Sequence, residues 1–465
     1  MAAKYKNGRK QTPKMKRPNK GKIFKKRWPE NKEKSSALRK RGNFAFLDTP
    51  EGAQTVQCSH GPCLFFGQTE NGEISHRFFA CAVYRDNPEK CPFKEEADET
   101  GALLNPENLP PKKKKQKLLY NNVNKRLQAI PKDKKIVWCK ECLSVFPGTH
   151  EHADCQFIKR SIVKTPSKLL ETLKDGKGEA QYFFSDESTG VLQEIIASLD
   201  IDSILFIGCP TLMEMFRAEK SEKQLFLLDV DKRYGAFYKK NQFAQYSLLT
   251  HHFYDRLSKK RFTDFLQNSG KLLVICDPPF AVLVEPMVRS LDLIKEEFIS
   301  STAESNPAKG FYSILVLPLY VGKRVLHAYK DFAVHDYRVT YSNHRAFSKP
   351  NRTSVRFFTN IPLQKIDLKG HDGYKFCDYC EFWVHDTNKH CFMCMKCTSL
   401  DGTPYKHCAP CMRCVKQSYR HCHKCERCHL PGRCANTTNP NAAKEFENDE
   451  DEESEERYFD VDEEE

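Results

Sequence analysis

The chain has 465 residues, of which 75 are Lys or Arg and 61 are Asp or Glu, so its formal net charge is +14. This length allows two or three domains, one of which can bury a full α/β core. No apolar run approaches the ~20 residues that span a bilayer, and the first residues lack the apolar core of a secretory signal, so we expect a soluble, intracellular protein.

The two ends of the chain carry opposite charge. Residues 1–43 contribute +15 and residues 444–465 contribute −12, so the residues between them still carry +11. We predict a disordered basic arm over 1–50 and a disordered acidic tail over 437–465. The excess of positive charge in the middle indicates that the folded part also has a polyanionic partner.

Basic clusters within the arm, and one further along, are candidates for targeting signals. They lie at 14–17, 25–27 and 112–115. A nuclear or nucleolar address and a phosphate-binding arm are both consistent with them, and the two roles are compatible. One interpretation of these clusters is therefore action in the nucleus and the nucleolus, with the cytoplasm as a further site.

The first of six expected zinc sites lies in residues 51–98. Twenty-one cysteines without a secretory signal indicate zinc rather than disulfides. The candidate ligands are Cys58, His60, Cys81 and Cys91, with Cys63 as a rival of His60. The order Cys-x-His, Arg-Phe-Phe-x-Cys and Cys-x-Phe resembles a GRF-type zinc finger, a family whose members commonly bind single-stranded nucleic acid.

A second, smaller finger is predicted over 136–160, after a basic linker over 99–135. It has Cys-x-x-Cys at one end and His-x-x-Cys at the other. The expected ligands are Cys139, Cys142, His152 and Cys155, and His150 is a rival ligand.

Residues 165–365 alternate apolar runs with helical stretches, which is typical of an α/β domain. The predicted strands are 203–207, 224–228, 272–276, 313–317, 337–341 and 354–359. The predicted helices are 189–199, 211–217, 256–268 and 285–299. The last two strands have no helix between them, so we expect a terminal antiparallel pair.

Two residues at predicted strand ends are candidates for binding a nucleoside cofactor. Gly208, which follows the first predicted strand, permits close approach of the cofactor to the protein backbone. Asp229 ends the second strand, where a carboxylate can accept hydrogen bonds from both ribose hydroxyls. A tight turn and a helix cap are the structural alternatives. Further cofactor candidates, for which core packing is the alternative, are Gln181, Tyr182, Phe183, Phe184, Thr250 and His251.

The tetrapeptide Asp277, Pro278, Pro279 and Phe280 directly follows the predicted strand 272–276. The chemistry that fits this tetrapeptide is methylation of an amine such as N6 of adenine. Adenine N6 is a poor nucleophile because its lone pair is delocalised into the ring, so its two N–H groups need hydrogen-bond acceptors. The Asp277 carboxylate can supply one acceptor and the Pro278 carbonyl a second. Phe280 offers a face for a flipped-out base. We also place Asp277 among the residues that contact the cofactor. A strand-terminating turn is the alternative.

The C-terminal segment 374–436 is predicted to be an array of four interleaved CCHC zinc sites in place of a hydrophobic core. Lys375, Lys396, Arg413, Lys416, Arg420 and Arg433, with Tyr405 and Tyr419, are candidates for RNA contact, and a purely structural or protein-docking role is the alternative. The expected ligand sets are Cys377, Cys380, His390 and Cys397; Cys391, Cys394, His407 and Cys414; Cys408, Cys411, His421 and Cys428; and Cys422, Cys425, His429 and Cys434.

The order of these motifs resembles the zinc-finger CCHC-domain ribosomal RNA N6-adenosine methyltransferases of animals. The resemblance spans roughly residues 55–434 and includes Leu-Asp-Val-Asp at 228–231 and Phe-Thr-Asn-Ile-Pro at 358–362. It implies a Rossmann-like class I methyltransferase core and S-adenosylmethionine as methyl donor. It also implies an adenosine of large-subunit ribosomal RNA as target and zinc modules that hold an RNA stem-loop.

The implied mechanism is direct methyl transfer without a catalytic metal. In it Asp277 and Pro278 orient N6, Phe280 clamps the base and Asp229 fixes the cofactor ribose. Two alternatives stay open: methylation of a glutamine side-chain amide, for which related enzymes use Asn-Pro-Pro-Tyr, and a non-catalytic, zinc-rich RNA-binding scaffold. Nothing in the sequence resembles a self-association element, so we expect a monomer.

Overall fold

The computed structural model describes residues 43–434 apart from 51, 71–72, 86, 110–119, 174–180, 220 and 302–309. The basic arm as far as residue 42, the basic cluster at 112–115 and the acidic tail from residue 437 lie outside the described residues. Among the helices that are described, none combines the length and the apolar character needed to cross a membrane.

A five-stranded antiparallel sheet forms the first finger. Strands β1, β3, β4 and β5 lie in that order, and β2 pairs with β3. Strand β1 begins at Asn43, so the expectation of disorder as far as residue 50 is wrong. The reason is an aromatic contact, since the exposed Phe44 packs edge-to-face on Phe78 with ring centroids 5.7 Å apart. The strands are β1 (Asn43–Leu47), β2 (Gln57–Cys58), β3 (Gly61–Glu70), β4 (Glu73–Cys81) and β5 (Lys94–Ala97).

The stretch expected to be a linker contains helix α1 (Asn122–Ala129), which precedes the small three-stranded sheet of the second finger. That sheet consists of β6 (Ile136–Cys139), β7 (Ser144–Pro147) and β8 (Cys155–Ile158), with β6 in the middle. Trp138 on β6 is fully buried and lies against Phe237 of the central domain, with ring centroids 5.6 Å apart. The second finger and the central domain therefore share one hydrophobic core.

The central domain contains an eight-stranded mixed sheet in the order β12-β11-β10-β9-β13-β14-β16-β15. Strands β11, β10, β9, β13 and β14 are parallel, and β12 and β16 pair antiparallel with their neighbours. The strands are β9 (Ser203–Ile207), β10 (Gln224–Asp229), β11 (Phe243–Ser247), β12 (His252–Phe253), β13 (Leu272–Cys276), β14 (Phe311–Pro318), β15 (Ala333–His335) and β16 (Val355–Thr359).

Alternate residues of the buried strands belong to two separate apolar clusters, one on each face of the sheet. Helices therefore cover both faces. Ser185 caps α2 by accepting from Ser188 N, and Asp255 caps α4 by accepting from Leu257 N and Ser258 N. The four predicted helices are confirmed to within about three residues at each end. The helices are α2 (Asp186–Ser198), α3 (Pro210–Ala218), α4 (Arg256–Gln267), α5 (Val284–Ser300) and α6 (Gly322–Ala328).

The prediction of a strand over 337–341 is wrong. The terminal antiparallel pair exists, but its first strand is β15 (Ala333–His335). Residues 337–341 are extended and buried, yet side chains bond two of their backbone N–H groups: Arg338 N donates to Tyr374 Oη and Thr340 N to Ser188 Oγ. Apolar residues in a buried, extended segment resemble a strand in sequence even where no ladder forms.

The C-terminal array consists of four two-stranded hairpins. In each hairpin the residue after the second Cys of Cys-x-x-Cys has a positive φ, as at Glu381, Met395, Met412 and Glu426. The shared left-handed residue reverses the chain at each expected metal site. The strands are β17 (Tyr374–Cys377), β18 (Phe382–His385), β19 (His390–Cys391), β20 (Lys396–Cys397), β21 (Tyr405–Cys408), β22 (Arg413–Lys416), β23 (Arg420–Cys422) and β24 (Arg427–His429).

Candidate active site and zinc centres

The order of the parallel strands reverses between β9 and β13. From β9 the chain proceeds to β10 and β11 on one side, and it then returns to β13 and β14 on the other. Crevices that bind ligands in open α/β sheets form at such a reversal, beyond the carboxyl ends of the strands. Gly208 follows β9 and Asp277 follows β13, so both lie at this crevice.

Gly208 is required by its closest neighbour, which is the backbone of Asp277. Its φ is +69°, and a Cβ at this position would lie 2.7 Å from the Asp277 carbonyl oxygen. Gly208 N donates to Leu228 O, and Asp277 N donates to Ile207 O, both at 3.0 Å. The glycine therefore allows the turn after β9 and the turn after β13 to lie side by side.

The carboxylate of Asp277 is partly buried and has an ordered partner. Tyr341 Oη donates a hydrogen bond to Asp277 Oδ1 at 2.8 Å. Burial raises the pKa of Asp277 well above its usual range, and the bond from Tyr341 opposes that rise. The Tyr341 bond uses Oδ1 and orients Oδ2 for a second donor.

An aromatic cluster surrounds Phe280. The ring of Tyr182 stacks on Phe280 with centroids 5.2 Å apart and planes 12° apart, and Phe347 meets Phe280 edge-to-face at 5.1 Å. His344 stacks on Phe347 at 4.3 Å. Tyr320 Oη donates to the Phe280 carbonyl at 2.8 Å, which fixes the backbone of the tetrapeptide. Flat rings in this arrangement are a suitable environment for a planar base.

The segment from Gln181 to Phe184 crosses the carboxyl ends of the strands. Asn343 holds its backbone, because Asn343 Oδ1 accepts from Phe183 N at 2.7 Å and Asn343 Nδ2 donates to Gln181 O at 2.8 Å. The side chain of Gln181 donates to Asp231 Oδ2 at 3.3 Å. These bonds place the four predicted residues beside both Asp231 and the tetrapeptide.

Asp229 ends β10 and is almost fully buried. Its Oδ1 accepts from Asp231 N at 2.8 Å. Burial, together with the negative charge of Asp231, raises the pKa of Asp229 to about 7. A buried carboxylate at a strand end fits a ligand that offers hydroxyl donors, and the two ribose hydroxyls of S-adenosylmethionine are such donors.

Thr250 and His251 lie beyond the carboxyl end of β11. Thr250 Oγ1 donates to Ser247 Oγ at 2.9 Å, and His251 Nδ1 lies 3.0 Å from Tyr246 Oη. Burial and the nearby Lys259 ammonium lower the pKa of His251 to about 4, so the imidazole is neutral at physiological pH.

Sequence reasoning missed Tyr341, Asn343, His344 and Phe347. They belong to one segment that begins at the last residue of the expected strand, and they contact residues far away in sequence. The available signal was the density of aromatic and amide side chains over 341–347, which no local pattern assigns to a site.

The first finger lies against loops that follow the carboxyl ends of the parallel strands. Its predicted ligands Cys58, His60, Cys81 and Cys91 place their ligand atoms within 4.8 Å of one another, the spacing that a tetrahedral zinc ion requires. On the other face of the same sheet, a buried cluster packs on Leu249 and Leu283. Leu283 follows the tetrapeptide by three residues.

Five candidate ligands converge in the second finger. The ligand atoms of Cys139, Cys142, His150 and His152 lie within 4.8 Å of one another, and Cys155 faces Cys139 across the β6–β8 pair. His150 Nε2 lies 3.3 Å from Cys142 Sγ, and His152 Nδ1 lies 3.4 Å from the same sulfur. The predicted choice of His152 and Cys155 over His150 stays a prediction.

The array brings together the side chains of each predicted set. Three sets have their ligand atoms within 4.8 Å of one another: Cys377, Cys380, His390 and Cys397; Cys391, Cys394, His407 and Cys414; and Cys408, Cys411, His421 and Cys428. In the fourth set, Cys422 Sγ lies 3.5 Å from Cys434 Sγ and interacts with His429, and Cys425 interacts with both cysteines. Thiolate and imidazole donors in fours suit structural zinc.

The array is tied to the central domain through buried polar groups. Asp336 Oδ2 accepts from His385 N at 3.0 Å and from Asn388 Nδ2 at 2.9 Å. Arg356, which is fully buried, lies 3.6 Å from Asp336 Oδ1 and donates to Leu400 O. Arg338 and Asp336 lie in the segment that continues to Tyr341, so the anchor of the array and the partner of Asp277 are five residues apart.

Comparison with known proteins agrees with this site. Residues 175–355 match the family described as probable N6-adenine methyltransferase. The chain is 35% identical over 362 residues to the rRNA N(6)-adenosine-methyltransferase ZCCHC4 of Xenopus laevis, covering 72% of each chain. It is 32% identical over 374 residues to the human protein of that name, covering 74% of this chain and 71% of the relative. At this identity and coverage, the chain belongs to the family of rRNA N(6)-adenosine-methyltransferases.

Proposed function

We propose that the protein transfers a methyl group from S-adenosylmethionine to N6 of one adenosine in large-subunit, 28S-type ribosomal RNA, in support of ribosome function and translation. The observation that carries the proposal is the tetrapeptide at the strand-order reversal, with Asp277 oriented by Tyr341 and Phe280 set among stacked rings. The activity for which the family is named, rRNA N6-adenosine methylation, supplies the reaction class.

The strand order supports a Rossmann-like class I core. Five parallel strands reverse order at β9, and an antiparallel β16 lies between β14 and β15. In this arrangement Asp229 would bind the ribose and Gly208 would lie beside the cofactor. Thr250 and His251 would line the adenine pocket, and the segment Gln181 to Phe184 would cover the cofactor. S-adenosylmethionine supplies an electrophilic methyl group when bound.

The chain's own residues then act on the base. Asp277 Oδ2 and the Pro278 carbonyl accept the two N6–H bonds, which directs the nitrogen lone pair out of the ring plane and toward the methyl donor. Phe280 clamps the flipped-out base by stacking. Methyl transfer leaves an extra proton on N6, and the raised pKa of Asp277 makes its carboxylate a suitable acceptor for that proton.

The zinc modules are proposed to hold the RNA. We assign the first to the GRF type, the second to a small CCHC or C2H2 type, and the last four to an interleaved CCHC array. We propose that together they hold a structured stem-loop against the catalytic crevice, with basic and aromatic residues of the array among the contacts. Apart from the limit at residue 50, the domain limits proposed from the sequence belong to the same proposal, as do a monomeric state and action in the nucleolus and nucleus.

The test is direct methylation of candidate substrates. Purified protein would be incubated with labelled S-adenosylmethionine and either large-subunit ribosomal RNA or ribosomal proteins, and N6-methyladenosine would be mapped by mass spectrometry. Label in one adenosine of the RNA is the expected result. Label in a glutamine amide would establish the protein-methyltransferase alternative, and absence of measurable cofactor binding in calorimetry would establish the non-catalytic scaffold.

A further inference from the structure

A second groove lies at the end of the central sheet opposite to the tetrapeptide. It has a volume of about 630 Å³ and lies between α3 and α4. Its floor includes the first residues of β10 and the residues just before β11. Because those strands are parallel and Asp277 follows the carboxyl end of β13, the groove lies at the amino ends of the strands, away from the catalytic crevice.

The groove is strongly basic. Arg217, Lys223, Lys239 and Arg261 line it, and Asp264 is its one acidic residue. Arg261 forms an ion pair with Asp255 at 3.2 Å. In the described part of the chain, the other three cations have no ion pair with a carboxylate. Unpaired cations gathered in a concave surface attract anions, because the walls of a groove concentrate the field.

Three of these cations are held in place by uncharged groups. Arg217 lies over the ring of Tyr238, 4.6 Å from its centroid. Lys223 Nζ donates to the Ile201 carbonyl at 2.6 Å, and Arg261 Nε donates to the Lys240 carbonyl at 2.7 Å. Because these contacts leave the charges of Arg217 and Lys223 without a carboxylate partner, and Arg261 alone is paired with Asp255, the groove is preorganised for an external anion.

One further group distinguishes between anions. Gln242 lines the groove, and its side-chain carbonyl Oε1 is buried without a hydrogen-bond partner among the described residues, so a rotation of the amide would present it to a bound molecule. A carbonyl needs a donor, which neither a phosphate diester nor a carboxylate side chain supplies. An RNA backbone supplies both kinds of group, since each nucleotide has an anionic phosphate and a 2′-hydroxyl donor.

We propose that this groove binds the sugar–phosphate backbone of the substrate RNA at a distance from the target adenosine. The proposal rests on the proposed function only in taking RNA as the substrate. Backbone contacts remote from the reacting base fix the position of a structured RNA and carry no sequence information themselves. The groove thus makes the affinity depend on the length of the RNA.

The test uses Lys223→Gln, Lys239→Gln and the double variant, with Lys240→Gln as the matched control. Lys240 is an exposed neighbour that does not line the groove. Binding of the full-length protein to a structured ribosomal RNA fragment and to a short oligonucleotide around the target adenosine would be measured by fluorescence anisotropy over a range of salt concentrations. Thermal unfolding of each variant checks the fold, and the exposed Lys239 provides a variant without a packing role.

For the structured fragment, the slope of log affinity against log salt should fall by about one for each lysine removed. Binding to the short oligonucleotide and its methylation rate should not change. Replacing the ribose of the distal part of the fragment by deoxyribose should weaken binding to the wild type but not to a Gln242→Ala variant.

An unchanged slope in the double variant would overturn the proposal, and so would an equal fall with Lys240→Gln. An effect that disappears when residues 444–465 are deleted would show that the acidic tail occupies the groove instead. If the lysine variants change the slope but the wild-type protein methylates no RNA, backbone binding by the groove is supported and the proposed function is rejected. The failure of one proposal can therefore be distinguished from the failure of the other.

Discussion

Tyr341 Oη donates a 2.8 Å hydrogen bond to Oδ1 of Asp277, across 64 residues of sequence. The bond joins the end of the central strand β13 to the extended segment that also anchors the zinc array. It stabilises the ionised carboxylate, which burial disfavours. The other groups that face the carboxylate, Cys209 and Cys276, are neutral thiols whose pKa values burial raises.

Tyr341→Phe should shift the acidic limb of the rate profile to higher pH. The ionised form of Asp277 is the active one, so activity falls as the pH drops through its pKa. Loss of the Tyr341 bond raises that pKa further, and a larger part of the protein is then inactive at a given pH. The pH dependence of kcat should show this shift, together with a loss of roughly tenfold near neutrality. Tyr337→Phe, another buried tyrosine, should leave the profile unchanged.

Asp277→Ala should abolish methyl transfer and leave the fold intact. Removal of an acceptor that acts on the reacting nitrogen costs on the order of 10²–10³ in rate or more. The variant also leaves the buried Tyr341 hydroxyl without its partner, which lowers the free energy of unfolding by about 1–3 kcal/mol. Single-turnover methylation and thermal unfolding should be measured together. A folded variant that still forms N6-methyladenosine at the wild-type rate would reject the mechanism.

Gly208→Ala should displace the tetrapeptide that begins at Asp277 and so lower the rate of methyl transfer. The new Cβ would lie 2.7 Å from the Asp277 carbonyl oxygen at a φ of +69°, so the tetrapeptide must move. A loss of about 1–3 kcal/mol in unfolding free energy and a larger loss of activity are expected. Gly190→Ala is the control, because Gly190 lies inside α2 and a Cβ there meets nothing within 4 Å. That variant should be more stable by about 0.5–1 kcal/mol.

Cofactor affinity should depend on the charge of Asp229. The pKa of this carboxyl group is about 7 without ligand, and the ionised form accepts more bonds from the ribose hydroxyls. At pH 6 about one tenth of the protein is ionised, and at pH 8 about nine tenths, so affinity for S-adenosylmethionine should fall by up to roughly tenfold from pH 8 to pH 6. Calorimetry in buffers of different ionisation enthalpy should detect the proton released on binding at pH 6. Asp229→Asn should bind weakly at both pH values.

Loss of zinc from the first array site should destabilise the central domain. The segment between Cys380 and His390 supplies both hydrogen-bond donors to Asp336 Oδ2, and the Arg356 guanidinium donates to the Leu400 carbonyl. Cys377→Ser should therefore lower the free energy of unfolding by about 3 kcal/mol or more, since buried charges lose their partners.

The matched variant is Cys422→Ser in the last site. The hydrogen bonds that join Asp336, Arg338 and Arg356 to the array come from residues 374–400, so this variant should lose one zinc ion with little effect on those bonds. Zinc content by mass spectrometry and thermal unfolding would separate the two outcomes. Equal destabilisation by both variants would contradict the assigned anchor.

The sequence was sufficient for features that are local. The strands at Ser203–Ile207 and Leu272–Cys276 were predicted to the residue, because each is a short apolar run between turn residues. The Cys and His spacings similarly predicted side chains that converge in the array, since each Cys-x-x-Cys turn and the His and Cys of the following hairpin are close in sequence.

What could not be predicted depends on distant contacts. The role of Tyr341 depends on Asp277, and that of Asn343 depends on the backbone of Gln181 and Phe183, more than 150 residues away. Gly208 was singled out as a residue beside the cofactor, which stays a prediction, and the neighbour that requires a glycine there is Asp277. Strand pairing over 337–341 was wrongly expected because alternation of residue types does not reveal which groups bond the backbone.

The packing of Trp138 on Phe237 bears on how such a protein arises. Many zinc fingers are inherited as separable cassettes that recombination can move between genes without loss of folding. Here a cut between the second finger and the catalytic domain would expose a fully buried indole and divide one hydrophobic core. A chimaera that exchanges this finger would therefore need compensating substitutions on the catalytic side.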